Sequence, residues 1–194
     1  MTPSQQTLPI DLTDEAMDFA EQVQKLSGAS LGECLQCGKC SSGCPVSARA
    51  DIRPHELVRL VQFGQRDAVL SARTIWECIS CQTCVTRCPQ KVDIAAMNDA
   101  LRRLSLAAGK VHAATTVPVF NDIFLNTVRS RGRMFEMGLM TRYKLRTGKL
   151  FADVGKLPMM LRKGKLALLP PNVAGKAERK QMFQRARAAG GKNK

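Results

Sequence analysis

The chain has 194 residues, 44% apolar and 24% charged, a composition ordinary for a globular protein and too short for two full catalytic domains. Aromatic residues make up 5%, with one Trp and one Tyr, so a large aromatic core is not expected. The net charge of +14 is lopsided: residues 1–100 hold 9 Lys/Arg against 12 Asp/Glu, and residues 101–194 hold 21 against 4, an asymmetry that bears on partners and not on fold.

The first residues, MTPSQQTLPIDLTDE, have neither a basic n-region nor an apolar h-region, so a secretory signal is not expected. No apolar run reaches the roughly 18–20 residues of a membrane span, and a cytoplasmic location is expected. Asp14 to Leu26 places Ala16, Phe19, Ala20, Val23 and Leu26 on one helical face, with Thr13 as N-cap and Gly28 past the end. Pro54 suits a first helical position; Leu57, Leu60 and Val61 follow at helical spacing until Gly64. A short helix is predicted over Arg66–Leu70, and another leads into Cys78. Asp93 caps a helix with Ile94, Met97, Leu101 and Leu104 on its apolar side, ending at Gly109. Further helices are predicted from Pro118 to Val128, from about Met134 to Arg146, from Lys156 to Lys163 and from about Lys176 to Ala188. No segment alternates with period 2, so the expected class is all-α.

All eight cysteines lie between Cys34 and Cys88, in two runs of the form C-x2-C-x2-C-x3-C-P. Cys34, Cys37, Cys40 and Cys44 precede Pro45; Cys78, Cys81, Cys84 and Cys88 precede Pro89, at an offset of 44. The spacing is that of bacterial [4Fe–4S] ligation, and the offset suggests a duplicated binding element. A short loop and one helical turn bring three thiolates to three corners of a cubane. The fourth corner faces away, and in two-cluster domains the fourth Cys of each run serves the other cluster. Cys34, Cys37, Cys40 and Cys88 are therefore assigned to one cluster, and Cys78, Cys81, Cys84 and Cys44 to the second. A disulfide framework would need an oxidising compartment. Zinc sites pair two C-x2-C knuckles and do not require four cysteines with a following Pro. The 33 residues between Cys44 and Cys78 read as helices, which argues against a compact βαββαβ ferredoxin.

The expected organisation is an N-terminal helix over residues 1–28, a two-cluster domain over 29–110 and a basic, Met-rich helical docking extension over 111–194. Met134, Met137, Met140, Met159 and Met160 fit either ordinary helix packing or an adaptable partner surface. The basic surplus from Arg129 onward fits a solvated face, an acidic partner protein or an anionic membrane surface. Nucleic acid is disfavoured, because stacking aromatics do not interleave with the cations. His55 and His112 stand alone and read as surface or packing residues. Trp76 fits either a shield beside a cluster or a core role. With no nucleotide loop, nucleophile elbow or paired carboxylates, no catalytic residue is assigned, and one-electron relay is the expected role.

The paired motifs and surrounding helices resemble the C subunit of heterodisulfide reductase and heterodisulfide reductase-like complexes. The stretches RSRGRMFEMGLMTRYKLRTGKL and KGKLALLP look like the version in cytoplasmic complexes of sulfur-oxidising bacteria and archaea. The resemblance implies an α-helical ferredoxin with two [4Fe–4S] clusters, ligated by the eight cysteines. It also implies that the chain passes electrons between a flavin-bearing A subunit and a B subunit whose cysteine-rich CCG domains carry out disulfide or sulfur chemistry. The alternatives are a relay subunit of another flavin-dependent oxidoreductase or, in a different class, a cluster-stabilised nucleic-acid- or partner-binding protein. An iron–sulfur subunit of a succinate or fumarate enzyme would add an upstream C-x4-C-x2-C motif, and no cysteine precedes Cys34 in the sequence. A glycolate or glycerol-3-phosphate dehydrogenase subunit would add CCG domains, and no cysteine follows Cys88.

Overall fold

The computed structural model describes residues 14–112, 115–148, 159, 162–163 and 173–191. Among these the regular elements are all helical, and they divide into two compact units, residues 1–115 and 116–194. The first unit contains α1 (Asp14–Ser27), α2 (Lys39–Ser42), α3 (Pro54–Gln62), α4 (Arg66–Leu70), α5 (Thr74–Glu77), α6 (Thr83–Thr86) and α7 (Ile94–Ala107), with a 3₁₀ turn at Leu31–Glu33 before the first cysteine.

The longer helices form where apolar periodicity and end signals agree. Pro54 opens α3, and the Glu56 carboxylate accepts the Arg53 backbone N–H at 2.8 Å, so an otherwise orphan donor is satisfied. Asp93 caps α7 by accepting the Ala96 N–H at 2.8 Å. The expected Thr13 cap lies outside the described residues.

The core sits around α7, against which α1, α4, α5 and α6 pack. Phe19 and Val23 from α1, Leu57, Val58 and Val61 from α3, Leu70, Ile75, and Met97 and Leu101 from α7 are essentially inaccessible to solvent. Each such side chain contributes roughly 1.5–3 kcal/mol relative to exposure. The N-terminal helix is thus part of the cluster unit's core. Two polar residues are buried on α7, and both have carbonyl partners: Asn98 donates to Ile75 O at 3.0 Å, Ser105 to Leu70 O at 2.8 Å.

Residues 116–194 contain α8 (Val117–Arg131), α9 (Glu136–Thr147) and α10 (Lys176–Gly191), with α9 and α10 each packed on α8. Phe120 meets Tyr143 edge-on at 6.0 Å, and the Tyr143 hydroxyl is hydrogen-bonded to Thr116 at 2.6 Å. Among the described residues of this unit, only Ile123, Thr127 and Leu139 are fully buried. Arg179 reaches back to the carbonyls of Val173 and Ala174, at 3.1 and 3.3 Å, and its Nε donates to Arg129 O at the end of α8. A cation there suits the exposed carbonyls of a helix C-terminus.

Two sequence expectations change here. The helix expected from Met134 begins at Glu136, because Gly132 (φ +81°) ends α8 and Phe135 is still extended. Met134 therefore lies outside α9, and Met134, Met137 and Met140 are half-buried. Gly138 is tolerated within α9 because the Phe135 ring covers it; a Cβ there would lie 2.6 Å from Phe135 Cδ1. The element expected at Lys156–Lys163 falls mostly outside the described residues.

One side chain ties the two halves of the cluster unit together. The Asp51 carboxylate accepts the backbone N–H of Arg73 at 2.6 Å and of Thr74 at 2.9 Å, and also the Thr74 hydroxyl. It caps α5 from 22 residues away. Burial pushes its pKa up, but these bonds outweigh that and hold the carboxyl below its usual value. Asp51 therefore stabilises the fold above about pH 4, and the contribution is lost as pH falls through its lowered folded-state value. Asp51→Ala is expected to cost about 1 kcal/mol. It should lower the thermal midpoint at pH 7, and the difference from wild type should shrink on acidification, measured by circular dichroism.

Candidate iron–sulfur site

The two cysteine runs fold alike, residue for residue. Cys34 and Cys78 each leave a helical turn in extended conformation, with φ/ψ of −68/115° and −59/123°. Gln36 and Ser80, two residues on, both have positive φ, at 55° and 52°. Gly38 and Gln82 then adopt the left-handed conformation at 71/0° and 63/1° and open α2 and α6. Left-handed backbone is costly outside Gly, so its recurrence at four matched positions reflects a shape the loops must hold. The duplication suggested by the offset of 44 is thus present in the backbone. The sequence offered one signal of the left-handed turns, Gly38; Gln82 in the same position has no propensity that would reveal its turn.

The loops lie side by side, with α2 packed on α6. Arg87 lies over Gly43 so closely that a Cβ at 43 would meet its guanidinium at 2.6 Å. Gly43 in one run and Arg87 in the other are themselves matched positions, so a bulkier residue at 43 would have to displace the exposed Arg87 side chain.

Beside the second loop lies a cavity of about 40 Å³ lined by Cys44, Cys78, Cys81 and Cys84. A single water needs roughly 10–15 Å³. Val46, Pro54, Leu57 and Ile94 add apolar wall, and Asn98 a polar group. Three of the cysteines come from the second run and one, Cys44, from the first; Cys88 is not in the lining. Among the described residues no three Cys, His, Asp or Glu side chains converge on a single-ion position. A cubane requires something else: four thiolates around a void, each on its own iron. The four cysteines around this cavity and its apolar walls fit such a group.

In the first group Cys40 is buried, Cys34 and Cys88 are half-buried and Cys37 is exposed. Burial, then the neighbouring Cys34, pushes the Cys40 thiol up, partly offset by a hydrogen bond with Ser41. Burial, with Cys78 beside it, pushes Cys84 up to about 11. Cys81 is exposed and is held below its usual value by the Thr83 hydroxyl, 3.3 Å away, and by the Thr83 N–H. Gln36 Nε2 donates to Cys34 Sγ and Val92 N to Cys88 Sγ, both at 3.3 Å. Binding to iron requires the thiolate form, so Cys40 and Cys84 would give up their protons on taking up a cationic metal core.

The remaining candidates fall into place around these loops. Ser41, next to Cys40, accepts the His55 backbone N–H at 3.1 Å and is hydrogen-bonded to His55 Nδ1 at 2.7 Å. His55 thereby joins the start of α3 to the first ligand turn, a packing role. Trp76 is buried on α5 and does not line the cavity, and its Nε1 is without a partner among the described residues. His112 is half-buried. Sequence reasoning missed Asn98 and Arg102, which hold the carbonyls before and within the second loop. Leu35 and Ile79, matched residues within the loops, are each 63% exposed beside the exposed Cys37 and Cys81.

A family model described as a 4Fe-4S dicluster domain matches residues 30–92, a span that takes in all eight cysteines. Over 52 residues the chain is 34% identical to the C subunit of the H(2):CoB-CoM heterodisulfide,ferredoxin reductase of Methanothermobacter thermautotrophicus. It is 35% identical over 52 residues to the same subunit from Methanothermobacter marburgensis. Each match covers 27% of this chain and 28% of the relative. The matched stretch is therefore little more than a quarter of the length of these relatives.

Proposed function

From this similarity and the geometry of the loops, we propose that the chain is the iron–sulfur relay subunit of a heterodisulfide reductase-like complex. It passes single electrons between a flavoprotein and a CCG-domain protein that acts on disulfides or sulfur compounds. The observation that carries the reading is the pair of matching ligand loops, each with the C-x2-C-x2-C-x3-C-P spacing and the same left-handed turns. Two [4Fe–4S] clusters are the cofactors, and the fold is an α-helical ferredoxin. Cys34, Cys37, Cys40 and Cys88 hold one cluster; Cys78, Cys81, Cys84 and Cys44 hold the other. The cavity wall formed by Cys44 with Cys78, Cys81 and Cys84 supports this crossed assignment.

When bound, such clusters supply reversible one-electron storage. The protein's part is to hold the thiolates, exclude water and shape the local field. Leu57, Val46 and Ile94 keep one side of the cavity dry, and the exposed Leu35 and Ile79 leave the loop tips open to partners. The side-by-side packing of α2 and α6 keeps the two ligand sets close, as electron hopping between clusters requires.

Residues 116–194 fit a docking role. Arg129, Arg133, Arg142, Arg146, Lys176, Lys180 and Arg185 are exposed, and so are the apolar Leu125, Leu145 and Met182. Such a surface suits an acidic partner with apolar pockets, in which apolar anchors give affinity and rim charges speed encounter.

Anaerobic reconstitution should yield about eight irons and eight acid-labile sulfides per chain. Cys88→Ala should lose the cluster of Cys34, Cys37 and Cys40 while the second remains, as read by iron analysis and EPR. Stoichiometric zinc without sulfide, or loss of the second cluster instead, would refute the assignment. A chain ending at residue 115 is expected to retain both clusters yet fail to co-purify with flavoprotein and CCG-domain subunits. Unchanged assembly of the shortened chain would show that the basic segment serves another purpose, and salt-resistant retention of the full chain on a polyanion column would then favour nucleic acid.

A further inference from the structure

Among the departures of the duplicated scaffold from symmetry, one lies at a half-buried helix position. Leu31 and Ile75 are matched residues, each three positions before the first cysteine of its run. Each presents its carbonyl to the helix that follows its loop. Leu31 O accepts Gln62 Nε2 at 2.7 Å. Ile75 O accepts Arg102 Nε at 2.6 Å, and Asn98 Nδ2 as well. Gln62 is the ninth residue of α3, and Arg102 is the ninth residue of α7. The same register therefore carries a neutral amide behind the first loop and a guanidinium behind the second. Arg102 goes further than its counterpart: its Nη2 donates to the carbonyl of Cys78, the first ligand of the second run.

We propose that Arg102 is a positioning residue that raises the reduction potential of the cluster held by Cys44, Cys78, Cys81 and Cys84. This rests on the two-cluster reading above. An oxidised [4Fe–4S] core with four thiolates carries about −2 and takes on one more negative charge when reduced. A fixed cation behind the ligand loop stabilises the reduced form more than the oxidised one. The Arg102 side chain is 21% exposed, so solvent screens it less than a surface charge.

Other charges near the loops do not cancel this effect. Asp99 pairs with Arg102 Nη1 at 3.1 Å, but it is 55% exposed and binds the edge of the guanidinium that does not face Cys78. Glu77 precedes Cys78 as Glu33 precedes Cys34, and Glu77 is paired with Arg73 at 3.1 Å. Lys39 and Arg87 are exposed. The hydrogen bonds from Gln36 to Cys34 and from Val92 to Cys88 also favour reduction, at the other cluster. They are dipoles that Arg102→Gln leaves in place. Arg102 therefore sets a shift at one cluster and not the order of the two potentials.

The test is an EPR-monitored redox titration of the full reconstituted chain. The signal lost in Cys44→Ser identifies the cluster concerned. Arg102→Gln should move that midpoint to lower potential and leave the other unchanged, while Arg102→Lys, which keeps the charge, should stay close to wild type. No shift in Arg102→Gln, an equal shift of both clusters, or an equal shift in Arg102→Lys would overturn the proposal. If Arg102→Gln fails to load iron, Gln62→Arg decides: the proposal requires the other cluster's midpoint to rise, and an unmoved midpoint refutes it. Wild-type protein with fewer than two clusters would instead refute the two-cluster reading, a result visible before any variant is titrated.

Discussion

Two loops, each bearing cysteines on a tight left-handed turn, must be held against each other so that a cysteine of one run reaches the cavity of its neighbour. Much of the first unit answers that requirement. The four-residue turns α2 and α6 are too short to be stable alone, since helix nucleation is unfavourable and one turn returns few bonds. Their shape comes from what lies behind them. Gln62, Asn98 and Arg102 satisfy the carbonyls leading into the loops, Asp51 caps α5 from the first half of the unit, and Arg87 rests on Gly43.

Burial supplies the rigidity these polar ties need. α7 offers Met97, Leu101 and Ile94 to the core, and from the same helix Asn98 and Arg102 reach the second loop. Packing and polar positioning are therefore coupled: a cavity in the α7 core would loosen the donors that hold Ile75 O. Cys40 and Cys84 are partly desolvated and lie near other cysteines, which raises both thiols. Placing several thiolates there is unfavourable without a compensating positive charge, which a metal core supplies.

The second unit is built differently. Its described residues include α8, α9 and α10, few fully buried side chains, and an aromatic contact between Phe120 and Tyr143. Exposed cations and exposed Leu125, Leu145 and Met182 remain on its surface. Small units with little buried area are commonly completed by a partner. That physical fact, and not the methionine count, carries the docking reading, since Met134, Met137 and Met140 are half-buried.

The spacing of the cysteines, the apolar faces of α1, α3 and α7, and the Pro54 and Asp93 start signals were legible in the sequence, because each is a local pattern with a fixed period or a fixed offset. Phe135 shows where local reading stopped: periodicity carried the helix back to about Met134, but Gly132 ends α8 in left-handed conformation and Phe135 is still extended, so α9 starts at Glu136. The contacts that shape the candidate site were not legible. Asp51 reaches Thr74, Gln62 reaches Leu31, and Arg102 reaches Ile75 and Cys78 across 23 to 31 residues. A side chain's partner at that separation depends on how the helices pack, and neither propensity nor spacing encodes it. The sequence by itself determined which residues could ligate a cluster and that helices would carry them. Only the tertiary structure decided that Cys44 joins the wall of the second run's cavity, and that a cation stands behind one loop where an amide stands behind the other.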